Sequence, residues 1–172
     1  MSYRFKSYTS SNVKSEKRSL LNAIEFNDDI TKAEREKALL TKAISFAQNN
    51  STKLYSLRDT SSQLKGILGY LALSASEVII DETKKPAVLI DLLLVHNNYR
   101  SKVYEHLDDS KISQLMIEYA ISKFYEVREH VGVSYLILYP DGGKENRVLV
   151  DFYKSMDFSY ATNKHEWMYM KL

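Results

Sequence analysis

Polar and apolar positions divide the chain into stretches of different period. Between Ser15 and Phe26 the apolar residues fall at 20, 21, 24 and 26, a helical spacing that ends at Asn27-Asp28-Asp29. Thr31-Lys32-Ala33-Glu34 then offers a capping box for a second helix through Ala38, Leu39, Ala43, Ile44 and Ala47, closed by Asn49-Asn50-Ser51. The period shortens afterwards. Leu54–Leu57 and Ile67–Leu73 predict strands separated by a polar turn at Asp59–Gln63, and the polar segment Asp81–Lys85 leads through Pro86 to Ala87–Val95. That nine-residue run is apolar except for Asp91 and predicts a central strand covered on both faces. Tyr99–Asp109 is polar and irregular. Lys111–Glu129 carries a broad apolar helical face, Val133–Tyr139 predicts another buried strand, and Pro140-Asp141-Gly142-Gly143 a loop. Glu145–Met156 predicts a helix with Leu149, Phe152 and Met156 as its apolar stripe and Tyr153 at the boundary, and Glu166–Leu172 alternates like a last strand.

The order is mixed α/β, and the strand–helix–strand unit at 87–139 predicts a right-handed parallel crossover. With 172 residues, 5 Gly, 2 Pro and no repeat or linker, a single domain over 1–172 is expected. The absence of cysteine excludes disulfides and thiolate chemistry and agrees with a cytoplasmic location. The first twelve residues do not look like a signal peptide, and nothing approaches a membrane span. Charge is uneven: residues 1–60 hold 11 Lys/Arg and 7 Asp/Glu, a net +4, whereas residues 61–172 hold 13 and 15, a net −2. A basic first half suits either a solvated helix surface or a polyanion such as tRNA. His106, His130 and His165 have no ligand-like spacing, so no metal is expected.

Three stretches together resemble one family. Gly69-Tyr70-Leu71-Ala72-Leu73-Ser74 is similar to the central hairpin strand of the GNAT superfamily of acyl-CoA-dependent N-acetyltransferases. Leu93-Leu94-Val95-His96-Asn97-Asn98-Tyr99-Arg100-Ser101-Lys102 resembles its L-x-V-H-P-x-Y-R-G-K junction. Asn146 and, seven residues on, Tyr153 within Phe152-Tyr153-Lys154-Ser155-Met156-Asp157-Phe158 resemble its N-x-x-A-x-x-F-Y-E-K-x-G-F ending. The likeness covers roughly residues 54–172 and leaves the first 50, a helical part, divergent. Within the superfamily, Leu68–Ser74 followed by a polar spacer, a proline and the long apolar strand looks most like the tRNA-acetylating toxins of toxin–antitoxin pairs.

The resemblance implies a GNAT-like mixed sheet with flanking helices and transfer of an acetyl group from acetyl-CoA to an amine acceptor. The acceptor stays open between a small amine, a protein N-terminus and an aminoacyl-tRNA. An antitoxin protein and a homodimer are compatible partners. Tyr153 would be the acid for the departing thiolate, and the backbone at Leu93, Leu94 and Val95 would polarise the carbonyl. Asp91, the one charge in its strand, is the candidate base; the bland alternative is a paired carboxylate. Arg100, Ser101, Lys102, Ser110, Lys111, Ile112, Ser113 and Asn146 would hold the cofactor. The family's phosphate loop, Q/R-x-x-G-x-G/A, departs here: its glycine positions hold Val103 and Glu105, and about seven residues look inserted before Ser110. Ser110 is also an ordinary helix N-cap candidate. His96, which closes the long strand, reads as structural. A GNAT-like scaffold without catalysis and a nucleic-acid-binding protein are the competing classes.

Overall fold

The computed structural model describes residues 2–162 and 165–172; the side chain of His165, one of the histidines considered above, lies outside the described residues. Its elements are β1 (Tyr3–Ser7), α1 (Ser10–Asn22), α2 (Ile30–Gln48), β2 (Lys53–Asp59), β3 (Gly69–Ile80), β4 (Thr83–Val95), β5 (Val103–Tyr104) and β6 (Ser110–Lys111). They continue with α3 (Ile112–Arg128), β7 (Tyr135–Leu138), α4 (Arg147–Ser155), β8 (Ser159–Thr162) and β9 (His165–Lys171). Seven strands form a mixed sheet in the order β1-β2-β3-β4-β7-β9-β8, and β5-β6 make a separate small hairpin. The fold is mixed α/β, as the pattern predicts. The chain divides into two compact units: Met1–Leu73 with Leu92–Met116, and Ser74–Asp91 with Ile117–Leu172.

In the first unit, α1 and α2 bury Val13, Leu20, Leu40, Ala43, Ile44 and Ala47 against Leu54, Tyr70, Ala72, Leu92 and Leu94. Helix α1 begins at Ser10, five residues before the expected start at Ser15, because the Thr9 hydroxyl accepts the Asn12 N–H at 3.2 Å. The expected capping box at Thr31 does not form. Asp29 caps α2 instead, its carboxylate accepting the N–H groups of Thr31 and Lys32. Strand β1 pairs antiparallel with β2 from Tyr3↔Asp59 to Ser7↔Tyr55. Only Tyr3 and Phe5 alternate there, too weak a signal for a strand.

The segment Asp81–Lys85 is not a spacer. β3 runs to Ile80, β4 starts at Thr83, and Asp81-Glu82 turn between them with φ of 49° and 61°, as in a two-residue type I′ hairpin. In the second unit, β4 pairs in parallel with β7 from Ala87↔Tyr135 to Ile90↔Leu138, with α3 as the connection, and β7 pairs antiparallel with β9. Val78, Ala87, Tyr135 and Ile137 form this unit's own apolar cluster. β4 is not covered on both faces: Ile90, Leu92 and Leu94 are buried, whereas Leu89, Asp91, Leu93 and Val95 stay partly open. The strand's alternation decides this, since consecutive side chains point to opposite faces.

Candidate functional site

In the first unit the candidate residues follow the end of β4. Its ladder with β7 stops at Ile90↔Leu138, yet β4 continues to Val95. The backbone groups of its last residues on that side therefore lie outside the β4–β7 ladder. Gly69 opens the neighbouring strand, where a Cβ would stand 2.8 Å from the Leu94 carbonyl oxygen and 2.8 Å from Met116 Sδ. His96 turns the chain out of β4: its N–H donates to the Leu68 carbonyl, and its Nδ1 accepts the Asn98 N–H. Burial, partly offset by the Glu25 charge and reinforced by Arg100, pushes its pKa down. His96 is thus a structural cap.

Arg100 is fully engaged within this unit. Its guanidinium forks onto the Glu36 carboxylate at 2.7 and 2.9 Å, and Nε donates to the Val95 carbonyl at 2.9 Å. Glu36 also accepts the Asn27 N–H, so the α1–α2 connection is tied to the end of β4. Lys102 reaches the Asn98 carbonyl at 3.2 Å.

The inserted residues fold as the β5–β6 hairpin, with Val103↔Lys111 and Tyr104↔Ser110 paired and Leu107 buried beneath. No glycine occurs, but Ser101, Asp108 and Asp109 adopt the left-handed conformation, with φ of 61°, 58° and 52°. Aspartate visits that region at a smaller cost than most residues. Ser110 does not cap α3; its hydroxyl donates to the Asp108 carbonyl. Gln114 instead reaches back to accept the Lys111 N–H at 2.8 Å, one half of a capping box. Ile112 is buried and Ser113 partly open at the first turn of α3.

In the same unit, Asp59 accepts Ser61 N–H and Oγ–H, the Leu64 N–H and His106 Nε2. Burial pushes its pKa up, but these hydrogen bonds outweigh it and hold the carboxyl at about 2. The pairing spans 47 positions in sequence and left no local sign.

In the second unit, α4 buries Val150 and Tyr153, whereas Leu149, Phe152 and Met156, the expected stripe, are only partly buried. The helix opens at Arg147 with Asn146 as its cap, and Val150 and Tyr153, three apart, share its buried face. Asn146 Oδ1 accepts the Leu149 N–H and Nδ2 donates to the Asp141 carbonyl. Tyr153 is buried rather than at a boundary, packed against Phe152 and Phe158 with ring centroids 5.3 and 5.9 Å away. Burial foremost, then the Asp141 charge, pushes its pKa well up, so the hydroxyl keeps its proton. Asp91 sits on the partly open face of β4.

A further group in this unit has no local signal in the spacing of its residues. Tyr139, just after β7, donates its O–H to Glu166, which also accepts the Lys144 N–H at 3.3 Å.

No protein-family model matches the sequence, and no curated protein does. The solved structures answer differently. A β4–α3–β7 crossover whose ladder ends before the strand does, followed by α4 and an antiparallel pair, is the GNAT fold, and structures of GNAT-fold toxins match almost the whole chain. The AtaT toxin complexed with acetyl-methionyl-tRNAfMet is 16% identical with a TM-score of 0.70, over 98% of this chain and 94% of that one. A tyrosine-to-phenylalanine mutant of AtaT bound to acetyl-CoA and the C-terminus of the antitoxin AtaR is 15% identical (TM-score 0.68; 98% and 92% covered). A comparable mutant of KacT is 11% identical (TM-score 0.70; 99% and 95%).

Proposed function

We propose that this protein is an acetyl-CoA-dependent N-acetyltransferase whose acceptor is the amino group of an aminoacyl-tRNA. The observation that carries the reading is the end of β4. Residues 91–95 run past the parallel ladder, so backbone N–H groups there can meet a developing oxyanion without breaking a sheet bond. The same fold in AtaT was solved with acetyl-CoA and with acetyl-methionyl-tRNAfMet, which supports the donor and the acceptor class. Exposed Lys14, Lys17, Arg18, Lys32, Arg35, Lys37 and Lys42 on α1 and α2 suit a polyanionic acceptor. An antitoxin is the corresponding protein partner.

Acetyl-CoA would supply an activated acyl carbon: the acceptor nitrogen forms the new C–N bond, the C–S bond breaks, and the thiolate leaves. Tyr153 holds a proton for the sulfur. With its pKa raised by burial it acts first as a hydrogen-bond donor to developing negative charge. Asp91, on the partly open face of β4, is our candidate for the base that takes the amine's proton. The backbone of Leu93, Leu94 and Val95 polarises the carbonyl.

The phosphate-binding residues fit an anion in part. The first turn of α3 at Ile112 and Ser113 offers N–H groups that a helix leaves unpaired, with Ser101, Lys102, Ser110 and Lys111 nearby in sequence. Arg100 and Asn146 are already used by Glu36 and by the α4 cap, so they position the site rather than bind the donor. The scaffold alternative has no observation in its favour.

The test is calorimetry with acetyl-CoA followed by transfer to aminoacyl-tRNA, with Tyr153→Phe as control. Binding heat in both proteins and a loss of turnover of about 100-fold or more in the variant is expected. No heat at millimolar acetyl-CoA, or no transfer to aminoacyl-tRNA, overturns the reading; undiminished turnover in the variant overturns the role of Tyr153.

A further inference from the structure

Beyond the residues assigned above, the second unit contains a carboxylate built into place by three separated segments. Glu166, the second residue of β9, accepts the Tyr139 O–H on Oε2 and the Lys144 N–H on Oε1. The loop beneath is shaped for it: Gly143 has φ of 59°, and a Cβ there would collide with the Glu166 carboxyl group. Beside the carboxylate, the rings of Tyr139 and Trp167 meet edge to face with centroids 5.6 Å apart. Tyr139 is about half exposed, at 47%, and Glu166 and Trp167 are partly open. The Lys144 ammonium stands over the Tyr160 ring, 5.3 Å from its centroid.

A fixed carboxylate beside open aromatic rings binds one kind of group well. A carboxylate offers about four lone-pair directions, and the two bonds among the described residues take one on each oxygen. The neighbouring ring faces attract cations and cover the alkyl part of an amine. Anions meet the charge of the carboxylate itself and are disfavoured beside it.

We infer that Glu166, with Tyr139 and Trp167, is the subsite that binds the acceptor as a primary ammonium. As an acceptor subsite it rests on the acetyltransferase reading; as an ammonium site it can be measured without any transfer. The Tyr139 O–H foremost, then the Lys144 N–H and, against slight desolvation, the Lys144 charge push the Glu166 pKa down. The group therefore stays ionised through the neutral range and holds a cation rather than taking its proton. The loop that seats Glu166 through Gly143 and Lys144 also carries Asp141 and Asn146, which act on Tyr153 and cap α4.

Trp167 is the chain's single tryptophan, so its emission reports directly on this site. The full-length protein is titrated at neutral pH with 2-phenylethylammonium and, separately, with the uncharged 2-phenylethanol. The ammonium is expected to give a saturable change and the alcohol none. Glu166→Gln, which keeps shape and an acceptor oxygen but not the charge, is expected to weaken apparent affinity by about tenfold or more. Tyr139→Phe keeps the ring and the charge but frees the carboxylate, and is expected to give an intermediate loss. Equal responses to amine and alcohol, or wild-type titrations from both variants, overturn the assignment. Calorimetry with acetyl-CoA on the same proteins separates the two readings. Loss of the ammonium response with donor binding intact sinks only this subsite; a normal ammonium response without donor binding sinks the acetyltransferase reading.

Discussion

Replacing Asp59 with asparagine tests the electrostatics that join the 59–64 turn to the inserted hairpin. The carboxylate accepts four donors, at 2.6, 2.6, 2.8 and 3.2 Å, and its pKa falls from the ordinary 3.8 to about 2. At about 1.4 kcal/mol per pH unit, the drop of 3.8 − 2 = 1.8 corresponds to about 2.5 kcal/mol as a ceiling. Asp59 lies near the surface, although its side chain is covered, so solvent screening reduces this to about 1–2 kcal/mol. The pKa is depressed in the folded state. The stabilisation is therefore complete above the unfolded value near 4 and is lost as pH falls through about 2. The substitution also turns an amide N–H₂ toward groups that are themselves donors. Urea unfolding of both proteins should thus show Asp59→Asn weaker by about 1–2 kcal/mol at pH 7, with the gap narrowing between about pH 4 and pH 2. The difference between the two curves isolates this group from other acid-titrating carboxylates. A gap that is constant across that window would mean the charge contributes nothing, and the reasoning fails.

Gly69→Ala should lower stability by about 1–3 kcal/mol, because the new methyl meets the Leu94 backbone oxygen, which cannot swing away; thermal melting measures it. Glu82→Gly should gain about 0.5–1 kcal/mol, since Glu82 holds a φ of 61° at the hairpin tip; a lower midpoint in urea would contradict the turn geometry. Glu36→Gln and Arg100→Lys, combined in a double-mutant cycle, should show a coupling of about 1–2 kcal/mol, because lysine cannot reproduce the two-point fork. Strictly additive losses would place Arg100 elsewhere in solution.

Long, strongly periodic elements were legible in the sequence: the α2 and α3 helices, the β4 and β7 strands and the mixed α/β order all follow from spacing. Short elements were not. β1 has two apolar residues, and β5 and β6 have two residues each, held by a single buried Leu107. The buried face of α4 is centred on Val150 and Tyr153, beside the expected stripe, because a nine-residue helix carries too few apolar positions to fix its phase. Partnerships were the least legible. Glu36 and Arg100 lie 64 positions apart, and Tyr139 and Glu166 lie 27 apart. No local spacing encodes such pairs, so an arginine that looks like a phosphate ligand can be a strut.

The left-handed backbone at Ser101, Asp108 and Asp109 bears on how such chains are recognised. Glycine spacing is the usual mark of a phosphate loop because glycine reaches positive φ most easily, yet three non-glycine residues reach it here. A consensus written in letters would count this loop as degenerate. Here the left-handed residues stand at 101, 108 and 109 and not at 103 and 105, where the family's glycines would fall, so the main chain takes its own path around the inserted hairpin.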